Sequence, residues 1–148
     1  MAVNEEYVGR TFEAAEPYEV TRGKIAEFAQ AIGDGNRLYT DQAAAQAAGY
    51  PDVLAPPTFP IVVAAAATRM VVADPGLGLN YAMVVHGEQQ FRYSRPLHAG
   101  DVVLAQSTIT RIRQVKSLTM LTTETEIRSL SGEHICTGVN TLVERGEA

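Results

Sequence analysis

The 148-residue chain has one cysteine, Cys136, so no disulfide can close within it and no thiolate cluster is available to a metal. Set between Ile135 and Thr137, that thiol reads as a small apolar side chain inside a strand. Long apolar runs are missing as well: the longest, residues 61–67, falls far short of the ~20 residues that cross a bilayer. The start, Met1-Ala2-Val3-Asn4-Glu5-Glu6, lacks the charged and apolar regions of a signal peptide. The expectation is a cytoplasmic protein with no membrane association. With a net charge of -5 and scattered Lys and Arg, nothing suits a phosphate backbone, so no nucleic-acid partner is expected. Metal-ligand clusters and glycine-rich phosphate cradles are lacking, Gly76-Leu77-Gly78 being too short for one, and no metal or redox cofactor is expected.

What is present is ordinary for a globular chain: 46% hydrophobic and 20% charged residues, with no repeat and no low-complexity tract. One domain, residues 1–148, is the natural reading at this length. Over residues 21–32, Ile25, Phe28, Ala29 and Ile32 follow the spacing of one helix face, with Thr21 as N-cap and Gly33 as stop. Asp41 caps a short second helix over 42–48, ended by Gly49. After Ala55-Pro56-Pro57-Thr58-Phe59-Pro60 comes a helix over 61–73 whose first half is apolar all round, which predicts burial on most sides. Prolines suit its first turn, where an N–H would lack an intrahelical partner.

Beyond Asn80 the pattern turns β-rich, with strands predicted over 83–93, 102–114, 118–129 and 133–143 and an early one over 18–20, about five in all. Helices placed before a run of long strands, with no strand–helix alternation, make an α+β chain with an antiparallel sheet.

Two motifs carry a resemblance. Gly33-Asp34-Gly35-Asn36-Arg37-Leu38-Tyr39 resembles the G-D-x-N-x-x-H signature of the MaoC-like, R-specific enoyl-thioester hydratases and dehydratases, with Tyr39 in place of the histidine. Ala45 fits the small residue of the same pattern. The segment Val85-His86-Gly87-Glu88-Gln89-Gln90-Phe91-Arg92-Tyr93, followed by Ser94-Arg95-Pro96-Leu97-His98-Ala99-Gly100-Asp101, looks like the strand and R-P-L-x-A-G-D turn of the FAS1-like dehydratase N-terminal group. The chain closely resembles small subunits of the HadA/HadC type in (3R)-hydroxyacyl-ACP dehydratases, which pair with a HadB-type subunit carrying the acid/base residues. This resemblance implies a hotdog fold, a sheet wrapped around a long central helix. Within the turn, Asp101 reads as structural, accepting backbone N–H groups as the next strand begins.

Dehydrating a 3-hydroxyacyl thioester takes a base for the C2 proton, an acid for the leaving hydroxyl and donors for the charge growing on the thioester oxygen. The resemblance assigns the first two to the signature Asp and His, and the third to a backbone N–H at the start of the central helix. Here the matching positions are Asp34 with Tyr39, and Pro57, which has no N–H. A phenol with a pKa near ~10 is a poor base at neutral pH. The implied function is a subunit of a hydro-lyase acting on acyl-ACP or acyl-CoA in fatty-acid-type metabolism, inactive alone and working as a homodimer or heterodimer. Candidate catalytic residues are Asp34, Asn36, Tyr39 and His86, and candidate substrate-binding residues are Pro57, Thr58, Phe59, Ile61 and Val62. Two alternatives stand beside it. One is a self-sufficient homo-oligomer using Asp34 with His86, the latter expected on the same strand face as Glu88. The other is a non-catalytic acyl-thioester binding protein.

Overall fold

The structure, a computed structural model, describes residues 2–146. In chain order its elements are β1 (Thr11–Glu13), β2 (Tyr18–Glu19), α1 (Arg22–Ala31), α2 (Gln42–Ala47), α3 (Pro60–Ala73), β3 (Val84–Tyr93), β4 (Val102–Val115), β5 (Leu118–Ser129) and β6 (His134–Arg145). The strands form one antiparallel sheet of six, in the order β1-β4-β5-β6-β3, with β2 also pairing β4. This is the α+β hotdog arrangement, with α3 lying across the sheet. The sixth strand, β1, is too short to show a pattern in sequence. Its pairing with β4, Thr11 opposite Thr108, defines it.

Local chemistry sets the helix ends. The Thr21 hydroxyl accepts the Lys24 N–H at 3.2 Å to start α1, and Asp41 accepts the Ala44 N–H at 3.0 Å to start α2. Helix α3 has Phe59 at its N-cap without a side-chain bond, and Pro60 in its first turn.

Helix α3 buries Val63, Ala64, Ala67 and Val71. In its first half, expected to be buried on most sides, Val62, Ala65 and Ala66 are half-buried and Ile61 alone is exposed, at 39%, while Met70 in the second half is 48% exposed. An open sheet covers one side of the helix and leaves apolar surface on the other. Strand β3 is likewise open, since it pairs only with β6 among the described residues and most of its side chains are exposed.

Register fixes which side chains face α3. Leu121 lies opposite Leu142, Thr123 opposite Asn140, Thr125 opposite Gly138 and Ile127 opposite Cys136. The core divides into two clusters. One, around Phe59, joins Ile25, Val63, Leu97, Val103 and Ile127, and the other joins Tyr7, Val71, Leu77, Ile109, Leu121 and Leu142.

Candidate functional site

The signature loop begins where α1 ends. Gly33, at φ +70°, lets its own N–H reach the Gln30 carbonyl at 3.1 Å, while the Asp34 N–H reaches the Ala29 carbonyl at 2.9 Å. This crossed pair of bonds needs a left-handed residue, which glycine supplies without strain. Asp34 Oδ1 then accepts the Asn36 N–H at 3.1 Å, and Asn36 Oδ1 accepts the Leu38 N–H at 3.0 Å, starting a short 3-10 turn over Arg37–Tyr39. Both Asx side chains therefore hold the loop in shape. The turn carries Tyr39 inward, where its ring joins the first core cluster at 8% exposure. Burial, and then the nearby Asp34 carboxylate, raise the Tyr39 phenol above its ordinary value, so it stays protonated.

Tyr39 faces a cleft of about 320 Å³ that also exposes Asn36, Leu54, Pro57 and Tyr93. The Tyr93 hydroxyl donates to the Pro57 carbonyl at 2.6 Å, tying the end of β3 to the approach to α3. Burial raises the Tyr93 phenol even more strongly. Around Pro57 the supply of backbone donors is thin. Pro56, Pro57 and Pro60 have no N–H, and that of Phe59 bonds to the Pro56 carbonyl at 2.9 Å, which leaves the Thr58 N–H. Thr58 is exposed. Phe59 is wholly buried, edge-on to Phe28 and Tyr18 at 5.4 and 6.4 Å between ring centres, and Val62 is half-buried against the same cluster.

His86 and Ile61 line a different cavity, of about 350 Å³, between α3 and the inner face of β3, β5 and β6. The expectation that His86 shares a face with Glu88 is overturned. A bulge at Gly87 sets His86 opposite Leu142 but Glu88 opposite Thr141, adjacent residues on opposite faces of β6. A Cβ at Gly87 would lie 3.0 Å from a Val143 methyl and 3.2 Å from the Thr141 carbonyl, so glycine admits the close approach. His86 thus turns to the inner side and Glu88 to the outer. Asp34 is not among the residues lining either cavity.

The turn before β4 is clamped. Arg95 holds Asp101 with two bonds, at 2.8 and 3.0 Å, and Asp101 accepts the His98 N–H at 2.9 Å. Burial pushes the Asp101 carboxyl up, but Arg95 and the His98 N–H outweigh it and hold the acid below the usual carboxylate range. Arg95 also bonds Glu133 at 3.0 Å. The backbone-accepting role read for Asp101 is present, and the guanidinium partner adds to it.

Residues 6–138 match the family described as the FAS1-like, dehydratase domain region. The chain belongs to that family. A UPF0336 protein of Thermobifida fusca is 55% identical over 148 residues, covering 100% of this chain and 97% of its own. Among solved structures, a chain of the C-terminally truncated HadBC (3R-hydroxyacyl-ACP dehydratase) complex from Mycobacterium tuberculosis superposes with a TM-score of 0.84 at 22% identity, covering 93% of this chain and 96% of that one. A MaoC-like dehydratase gives a TM-score of 0.83 at 30% identity, covering 95% of this chain but 42% of that longer one.

For a FAS1-like dehydratase chain, the geometry brings Asn36, Tyr39 and Pro57 to one cleft and sends Ile61 and His86 to another cavity. Tyr93 was missed in sequence. Inward alternation with Phe91 along the strand was the available signal, since both face β6 residues on the inner side. Asn140 and Gln89, on the wall of the second cavity, were missed too. They look like ordinary polar strand residues until the register places them.

Proposed function

We propose that this chain is the acyl-binding subunit of a (3R)-hydroxyacyl-thioester dehydratase, and that a second hotdog chain brings the Asp/His pair and the thioester-oxygen donor. The observation that carries this reading is the state of its own signature cleft. Tyr39 is buried with a raised pKa, so it cannot take the C2 proton at neutral pH. Pro57 has no N–H, and its carbonyl is already bonded to Tyr93. Two of the three parts of the chemistry are therefore missing from one place. An acyl-ACP or acyl-CoA would lay its chain along α3, against apolar residues such as Ile61.

Pairing is supported by the exposed apolar side of α3 and the open edge of β3, which offers free backbone groups to another strand. The HadBC complex of similar fold is consistent with such an assembly. A homodimer of this chain in isolation is compatible with a heterodimer in the cell. His86 and Asp34 do not meet in one cavity of this chain, which weighs against a self-sufficient site built from them. The cytoplasm is the compartment this substrate chemistry suits.

The test is turnover of 3-hydroxyacyl thioesters by the purified chain alone and after addition of a MaoC-like partner with the signature intact. Activity only in the mixture supports the proposal. Full activity of the chain alone supports a self-sufficient enzyme, and acyl-thioester binding without turnover in either condition supports a binding protein.

A further inference from the structure

Strand β3 pairs only with β6 among the described residues, so its other edge presents N–H and C=O groups with no strand beside them. Sheet edges usually carry a defence against chance pairing, such as shortness, proline or an inward-pointing charge. Strand β3 runs for 10 residues without proline, and its one irregularity is the bulge at Gly87. From 88 to 93 it is regular. There Glu88, Gln90 and Arg92 lie opposite Thr141, Val139 and Thr137 on the outer face, and Gln89, Phe91 and Tyr93 lie opposite Asn140, Gly138 and Cys136 on the inner one. The inner set carries no charge, so nothing on that side keeps a second strand away.

The outer set carries two charges of opposite sign, both exposed. Glu88 has no ion pair among the described residues, and Arg92 has only Glu124, at 3.5 Å between exposed side chains. A pair so open to water holds Arg92 weakly. Two copies joined along this edge by a twofold axis perpendicular to the sheet run antiparallel and keep their outer faces on one side. Outer residues then meet outer residues, and the position of the axis decides which. With the axis at Glu88 or at Arg92, like charges meet across it. At Gln89, Glu88 meets Gln90 and Arg92 runs into the bulge; at Phe91, Arg92 meets Gln90 and Glu88 reaches Ser94, past the end of the strand. Only at Gln90 does Glu88 of each copy lie opposite Arg92 of the other, within the regular stretch.

We propose that the β3 edge takes a second copy of this chain in that register, with the axis at Gln90 and two Glu88–Arg92 pairs across the joint. The proposal rests on the reading above, in which β3 is the pairing edge, and names what occupies that edge when the chain is alone. The sheet continues from one copy into the other, and α3 of both copies lies on the same side of it. The charges act mainly on register. A slip of two residues loses both pairs, and a slip of four sets like charges opposite each other, so an edge whose backbone groups would accept any strand becomes selective.

The experiment is sedimentation velocity of the full chain over a micromolar concentration series. The wild type should dimerise, and Glu88→Arg or Arg92→Glu alone should each dimerise about tenfold more weakly, because two like-charged pairs replace two opposite ones. An equimolar mixture of the two variants should recover the wild-type affinity, since the mixed dimer sets the introduced charges opposite each other and the native charges likewise. If Arg92→Glu does not fold, because it meets Glu124 within its own chain, Arg92→Gln takes its place and the mixture should recover in part. A wild type that stays monomeric, a dimer indifferent to both single substitutions, or a mixture no tighter than its components overturns the proposal. Turnover with a MaoC-like partner is read in a separate assay, so the loss of this register and the loss of the subunit reading are told apart.

Discussion

The cleft behind the signature loop and the cavity along α3 differ in what their polar groups are bonded to. In the cleft, Asp34 and Asn36 accept loop N–H groups, and the Tyr93 hydroxyl is held by the Pro57 carbonyl. Asn140 and Gln89 stand on the sheet wall of the cavity, and within the sheet Asn140 Oδ1 and its cross-strand neighbour Thr123 Oγ1 are buried and unbonded. A polar group bonded within the fold stabilises a shape. One left unbonded inside the fold is a cost the fold carries. The signature region thus uses its polar groups to hold a shape, while the sheet beneath α3 keeps two of its own unpaired.

The largest expected effect tests whether the cleft is a structural unit. Phe59 is fully buried between Phe28, Tyr18 and the first core cluster, two residues from Pro57. Phe59→Ala should cost about 3 to 5 kcal/mol in urea unfolding, from lost burial and the void left behind. A cost below ~1 kcal/mol would mean that the ring can be replaced by solvent or ligand, and the contrast between a closed cleft and an open cavity would break.

Asp101→Ala comes next. It leaves Arg95, still 28% exposed, without its two-bond partner, and should destabilise by about 2 kcal/mol, less than a fully buried pair because water reaches the guanidinium. The pH dependence has a definite sign. The folded-state pKa of Asp101 is lowered, so its contribution is complete above the unfolded carboxylate value near ~4 and is lost as pH falls through the folded value. Unfolding midpoints measured from neutral pH downward should show a shallower acid loss in the variant than in the wild type. Parallel curves would remove Asp101 from the account of acid stability.

Much of this fold was legible in the sequence because its signals are local. Thr21 and Gly33 mark the ends of α1 by capping and left-handed geometry, and the long strands show their breaks at Lys116 and at Ser131-Gly132. The site was less legible because its geometry is non-local. Counting in twos put His86 and Glu88 on one face, and one bulged residue, Gly87, reversed that. The pairing of β5 with β6 sets Thr123 opposite Asn140, and no spacing along the chain marks the two as neighbours. The substitution of Tyr39 for histidine was visible. Its burial and the Tyr93 bond that closes the cleft were not, since both depend on where the end of β3 meets the approach to α3.

A smaller effect is expected at Tyr93. Tyr93→Phe removes the hydroxyl bonded to the Pro57 carbonyl and keeps the ring, so the loss should be about 1 kcal/mol in thermal or urea unfolding. No measurable change would detach this bond from the closing of the cleft.

The smallest expected effect is also the most discriminating. If a partner supplies the acid and base, Tyr39→Phe in the assembled enzyme should change turnover by less than about tenfold, under ~1.4 kcal/mol of barrier. The phenol is kept neutral by burial and by Asp34, so at physiological pH the substitution removes no base. Stability supplies a second readout: because the folded-state pKa is raised, the contribution of the neutral phenol is complete below the unfolded value near ~10 and fades as pH rises through the folded value. Tyr39→Phe should therefore lessen the alkaline loss of stability while leaving the neutral-pH rate of the complex nearly unchanged. Abolished turnover in a folded Tyr39→Phe protein assayed without any partner would instead make Tyr39 part of the chemistry and return the signature cleft to the status of an active site.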